Sequence, residues 1–281
     1  MSRKAAKEEP KVHPFDPGYT AEPFLTLCAN YPEETVYPPD QFRVEWGPIF
    51  HRGRLDGSAR VLVIGQDPAQ HETVIRRILV GEAGRRVQGL LARLGITKSY
   101  VCINTYLYSV FGTVKAATSR NPALVDYRNR WLKALLVGQN IEVVIALGQA
   151  ASTAWTMWKA SPDGQASQVP FVAVTHPTQP ESSSNNDKVK LAAATKKMLQ
   201  NWNAALQQVH QNVIHPDVVT PLVPYGDTWG ADDRLRIPDD DFPAGLPLWM
   251  RENDGWARRT GADALAKRRN ITITVSSGVV S

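Results

Sequence analysis

The chain has little cysteine: Cys28 and Cys102 are the only two among 281 residues. Two thiols cannot build a four-thiolate zinc site or a cysteine-held iron–sulfur cluster, so both kinds of centre are excluded. No run of about 18 apolar residues occurs either, which excludes a hydrophobic membrane-spanning helix. The opening "MSRKAAKEEPKVHP" has basic residues but no apolar stretch behind them, so it does not read as a secretory signal. These absences predict a soluble, intracellular, cytoplasmic protein with reduced cysteines. Cys102 lies in an apolar run and is expected to be a small buried side chain. Internal repeats are also lacking.

What is present suffices for a large core. The chain is 43% hydrophobic and 21% charged, a globular composition. A net charge of +5 is a mild hint of a polyanionic partner. That charge is uneven: from Gln211 onward the balance is −2, which leaves +7 on residues 1–210.

Residues 1–43 are rich in Pro and Glu and read as an N-terminal arm, with Phe24, Leu25 and Leu27 as its anchors. Four short apolar runs follow: "RVLVIG", "YVCIN", "IEVVIALG" and "PFVAVTH". Such runs suit strands buried on both faces of a parallel sheet. Helical patterns separate them. Val87, Leu90, Leu91 and Leu94 share one face, with Gly95 as the stop. Asn121 and Pro122 mark a helix start, and Asp187 caps a long helix whose face runs through Val189, Ala192, Leu199, Trp202, Leu206 and Val209. Alternating strands and helices predict an α/β, three-layer α/β/α domain over residues 44–210 with a central four-stranded parallel sheet. Residues 211–281 break the pattern and read as a C-terminal extension, either docked or loosely held.

In open α/β sheets, ligands bind outside the carboxyl ends of the strands. Here those ends deliver Gln66 and Asp67, then Asn104, then Gly148 and Gln149, then His176. Each has an ordinary reading: Asp before Pro initiates turns, Asn104 fits a loop, and "THP" fits a turn. A carboxylate, an amide and an imidazole at three such ends nonetheless favour a site over three coincidences.

These residues resemble the uracil-DNA glycosylase superfamily. "VLVIGQDPA" is similar to its first motif, Gly-Gln-Asp-Pro after the first strand, and "THPTQP" to its second, His-Pro-Ser/Thr. "RRILVGEAGRRVQGLLARLGITKSYVCIN" resembles the iron–sulfur branch, although the cluster cysteines are missing. The resemblance covers about residues 44–210 and implies a divergent member acting on uracil-containing DNA in base excision repair. It implies a monofunctional, monomeric, nucleoid-associated enzyme without cofactor, metal or membrane. Asp67 would direct water to the sugar, His176 would bind the uracil oxygen that gains charge, and Asn104 would read the base edge. Gln66, Ala69, His71 and Leu79 would complete the base site, and Arg76, Arg77, Arg85, Arg86 and Gln179 would meet DNA.

The departures are specific. Ala69 stands where the best-known branch has a tyrosine that excludes thymine, and Leu79 where a phenylalanine stacks on uracil. Tyr106, Tyr108 and Phe111 are the nearby aromatic candidates for stacking. No leucine wedge follows the second motif. The alternatives are therefore a glycosylase for other deaminated or mispaired bases, or a non-catalytic DNA-binding member of the same fold.

Overall fold

The computed structural model describes Tyr19, residues 21–252 and residues 254–275. Phe24–Ala29 forms helix α1 and His51–Gly53 a short strand β1. Next come β2 (Val61–Gly65), α2 (Gln70–Ile75), α3 (Glu82–Arg93) and β3 (Tyr100–Asn104). They are followed by α4 (Ala116–Ser119), α5 (Pro122–Leu136), β4 (Val143–Leu147) and α6 (Gly148–Lys159). The short helix α7 (Pro162–Ala166) precedes β5 (Phe171–Val174), α8 (Gln179–Ser184) and α9 (Lys188–Val209). Beyond these lie α10 (Leu248–Glu252), β6 (Ala257–Arg259), α11 (Ala264–Arg269) and β7 (Ile271–Ile273).

The main sheet has the order β1-β3-β2-β4-β5. Strands β2 to β5 are the four expected from the apolar runs, and they are mutually parallel. The fifth strand, β1, adds to the expectation by pairing antiparallel with β3 at the edge. At three residues it is too short to carry a period, so no sequence pattern announced it.

Side chains alternate across the sheet, as a strand requires. Leu62, Ile64, Val101, Ile103, Val144 and Ala146 face a core completed by Phe24, Trp131, Leu135 and Trp158 of α1, α5 and α6. Val61, Val63, Cys102, Val143, Ile145 and Val172 face the opposite core, completed by Leu90 and Leu91 of α3 and Leu199 and Trp202 of α9. The result is three layers. Burial on both faces explains why the strand sequences read as continuous hydrophobic runs rather than as alternations.

The local start signals act as expected. Asn121 Oδ1 accepts from the Ala123 N–H at 2.9 Å, and Asp187 Oδ1 accepts from the Val189 N–H at 2.9 Å. The apolar face of α9, however, begins only at Thr195: Val189 is 80% exposed and Ala192 is exposed too. In these first turns only Leu191 and Ala194 are half-buried, so the side of the helix that carries Val189 and Ala192 faces solvent.

Of the N-terminal arm, residues 1–18 and residue 20 lie outside the described residues. From Phe24 on it is packed: Phe24 and Leu27 are buried, Leu25 is exposed, and the Tyr127 hydroxyl donates to Leu27 O at 2.8 Å. The described part of the C-terminal extension is docked rather than loose. Asp217 accepts three backbone N–H bonds from Thr97, Lys98 and Ser99. Trp256 and Phe242 join Ile75 and Val80 in a third apolar cluster. Asp241 reaches the fully buried Arg52 at 2.6 Å. Strands β6 and β7 pair antiparallel as a separate hairpin.

Candidate active site

Parallel register sets the site. Gly65 lies beside Asn104, and Leu147 beside Val174, so the residues that follow these positions leave the sheet along one rim. Gln66 and Asp67, Asn104, Gly148 and His176 therefore share the carboxyl edge of the sheet.

Three of these positions depend on close packing. A Cβ on Gly65 would sit 2.3 Å from Asn104 Oδ1, so the missing side chain is what admits the amide at the end of β3. Asn104 is 8% exposed, and among the described residues its side chain makes no hydrogen bond. Its amide atoms keep a narrow contact with solvent at the rim, which leaves both the donor and the acceptor open to a ligand. Gly148 has φ +84°, and a Cβ there would press on His176 Cβ at 3.1 Å. Only glycine suits both conditions.

The loop after β3 is bonded to the end of β2. The Thr105 N–H donates to Gly65 O, and the Tyr106 N–H to Gln66 O, each at 2.9 Å. The Val110 N–H then donates to Asp67 Oδ2 at 2.9 Å, which fixes the carboxylate. Burial pushes the Asp67 carboxyl up to about 6. The Val110 N–H, Arg259 and Gln66 work against that shift, and Glu72 adds to it.

His176 sits in a turn gripped by α9. Asn201 Oδ1 accepts from the Thr175 N–H at 2.7 Å, and Trp202 Nε1 donates to Thr175 O at 2.9 Å. The Thr178 N–H donates to His176 Nδ1 at 3.3 Å, which leaves Nε2 to carry the proton of the neutral ring. Burial, then the nearby Arg86 charge, hold this imidazole below its ordinary value, and Glu181 opposes them. The site thus offers a fixed carboxylate, an unpartnered amide and a neutral N–H donor.

The structure moves other expected residues away from direct contact. His71 is buried, its Nε2 lies 2.6 Å from Asp254 O, and its ring meets Trp256 edge-on at 5.0 Å. It fastens the C-terminal extension rather than facing a base, because it lies on the buried side of α2. Leu79 is packed in the core at φ +53°, a strained conformation for a branched-chain residue. Ala69 is half-buried at the start of α2. Tyr106 and Tyr108 are core residues packed on Phe42 and Tyr37, whereas Phe111 stays half-exposed between Arg43 and Arg269.

The four arginines expected to meet DNA are committed within the protein. Arg76 donates to the carbonyls of Trp46 and Pro48, and Arg77 is buried and donates to Arg76 O. Arg85 reaches Glu252 O. Arg86 binds Glu82 at 2.8 Å, Glu181 at 2.6 Å and Pro177 O at 2.5 Å, so it braces the turn that carries His176. Gln179 is exposed at the start of α8 and keeps its place at the rim.

Sequence reading missed Glu72, Asn201 and Arg259. Buried Glu72 accepts from the Ala69 N–H at 3.1 Å and the Val80 N–H at 3.3 Å, which ties two rim turns together. Its position three residues into α2 is the spacing of a capping box and was the available signal. Nothing local marks the other two. Among the described residues, no group of three or more His, Cys, Asp or Glu is disposed to hold a metal ion.

A family model, the Uracil DNA glycosylase superfamily, matches residues 52–213, more than half of the chain. No curated protein matches it. The matched segment runs from β1 to just past α9 and holds every rim residue from Gln66 to His176, and on that evidence the chain belongs to the uracil-DNA glycosylase superfamily.

Proposed function

We propose that this protein is a monofunctional uracil-DNA glycosylase that hydrolyses the bond between uracil and deoxyribose and leaves an abasic site. Family membership supports a glycosylase-type activity on DNA. The nearly buried, unpartnered amide of Asn104 carries the finer reading, since one amide offers both the donor and the acceptor that a pyrimidine edge requires.

In this reading the base is first extruded from the stack, at a cost of a few kcal/mol. Cleavage makes the sugar cationic and the base anionic, as in other glycosyl transfers. Ionised Asp67, held by the Val110 N–H, orients water and favours the cationic sugar. His176 Nε2–H donates to the uracil oxygen that gains charge, an oxyanion-type stabilisation.

Ala69 supports a second reading, release of other deaminated or mispaired bases, because a methyl group leaves room beside the site. One assay separates the two. Oligonucleotides carrying uracil, hypoxanthine, xanthine or a G·T pair are incubated with the protein in chelator, and released base is measured. Uracil alone is the expected product. Release of the others at comparable rates would support the second reading, and no release of any base would overturn both.

A further inference from the structure

The four core arginines expected to meet DNA are committed within the protein, which leaves that role to other cations. The last 25 residues hold Arg258, Arg259, Lys267, Arg268 and Arg269 against a single acidic residue, Asp263. The extension as a whole is acidic, so this is a local concentration. Asp263 is itself engaged, its Oδ1 accepting from the Ala266 N–H at 2.7 Å. Among the described residues, Arg258, Arg259, Lys267 and Arg269 make no ion pair.

Their placement matters more than their number. Strand β6 packs on α2, the helix that starts three residues after Asp67. Alternation along β6 puts Arg259 on the side of buried Ala257, toward that helix, and exposes Arg258. Arg269, exposed at the end of α11, places its guanidinium 5.4 Å from the Phe111 ring. Phe111 follows Val110, whose N–H holds Asp67. The basic segment therefore reaches both sides of the Asp67 turn. Between Arg269, Phe111, Phe42, Arg43, Pro39 and the opposing carboxylate Glu45 lies a groove of about 300 Å³.

We propose that residues 257–273 are a phosphate-gripping part of the DNA-binding surface, with Arg258, Arg259, Lys267 and Arg269 holding the backbone beside the extruded nucleotide. This rests on the glycosylase reading for its geometry. The hairpin lies outside the family-matched residues, so this surface belongs to this chain's own extension. Phosphate contacts fix register and supply affinity without reading sequence.

The test is the salt dependence of binding to a short duplex containing a tetrahydrofuran abasic-site analogue. Each neutralised phosphate contributes about 0.9 to the slope of log affinity against log salt. R258A/K267A should therefore flatten the slope by roughly two, and R269Q by roughly one. Both sites of the double variant are exposed, and an unchanged Tm confirms folding. R130A/K133A removes two exposed cations from α5 as a control. An unchanged slope in R258A/K267A, or an equal change in the control, overturns the proposal even where the wild type releases uracil. A flattened slope in a protein that frees no base supports this surface and overturns the glycosylase reading instead.

Discussion

At the residue scale, Asp67 joins chemistry to stability. Its folded carboxyl binds a proton up to about pH 6, whereas an unfolded aspartate releases it at about 4. Between those values the folded state holds more protons, so the residue's contribution to stability falls as pH rises through that window and stays low above it. Asp67→Asn should therefore melt at a higher temperature than wild type at pH 8, although it loses most activity. A lower Tm would contradict the assignment. The loss of turnover should be roughly 100-fold to 10,000-fold, the range for a removed acid–base group. Activity in the wild type requires the ionised carboxylate and a neutral His176, and both conditions are met as pH rises. The ratio kcat/KM should then climb through about pH 6 and level off above it. His176→Ala should lower kcat by roughly 100-fold to 1,000-fold, as the loss of one oxyanion donor does. A flat profile below pH 6 would remove Asp67 from its role.

At the element scale, the strands are pinned by what packs behind them. Leu90 of α3 is 2% exposed in the core beneath the rim. Leu90→Ala should cost about 2–5 kcal/mol, the range for a buried leucine, measured by urea unfolding. Helix α9 acts differently, through Asn201 and Trp202 on Thr175. Asn201→Ala removes the acceptor of the Thr175 N–H and loosens the turn before His176. It should lower kcat more than it raises KM, because the altered donor acts on charge present only in the transition state.

At the scale of the whole molecule, the described part of the C-terminal extension is tied to the family core by buried contacts. Arg52 and Asp241 are both fully buried and meet at 2.6 Å. The Tyr100 hydroxyl also donates to Asp241, and Arg52 Nε donates to Ile78 O at 3.0 Å. Asp241→Ala strands a buried guanidinium and should destabilise the fold by about 3–5 kcal/mol. The double change R52M/D241L should recover most of that loss, because apolar side chains can replace a buried pair. Chemical denaturation of the three variants checks both statements. Among the described residues no helix is long and apolar enough to cross a membrane.

The sequence alone determined the layered α/β architecture, the four parallel strands and the three rim residues Asp67, Asn104 and His176. Each of these is written in neighbouring residues: continuous apolar runs, helical spacing, caps such as Asn121, and motif residues placed directly after a strand. Only the tertiary structure decided what the arginines do, where His71 points, and that the extension docks. Arg86 finds Glu181 and Pro177 far along the chain, His71 finds Asp254, and Arg52 finds Asp241. A charge on a helix reads the same whether solvent or a carbonyl awaits it. The partner is chosen by packing between distant segments, and no local pattern records that choice.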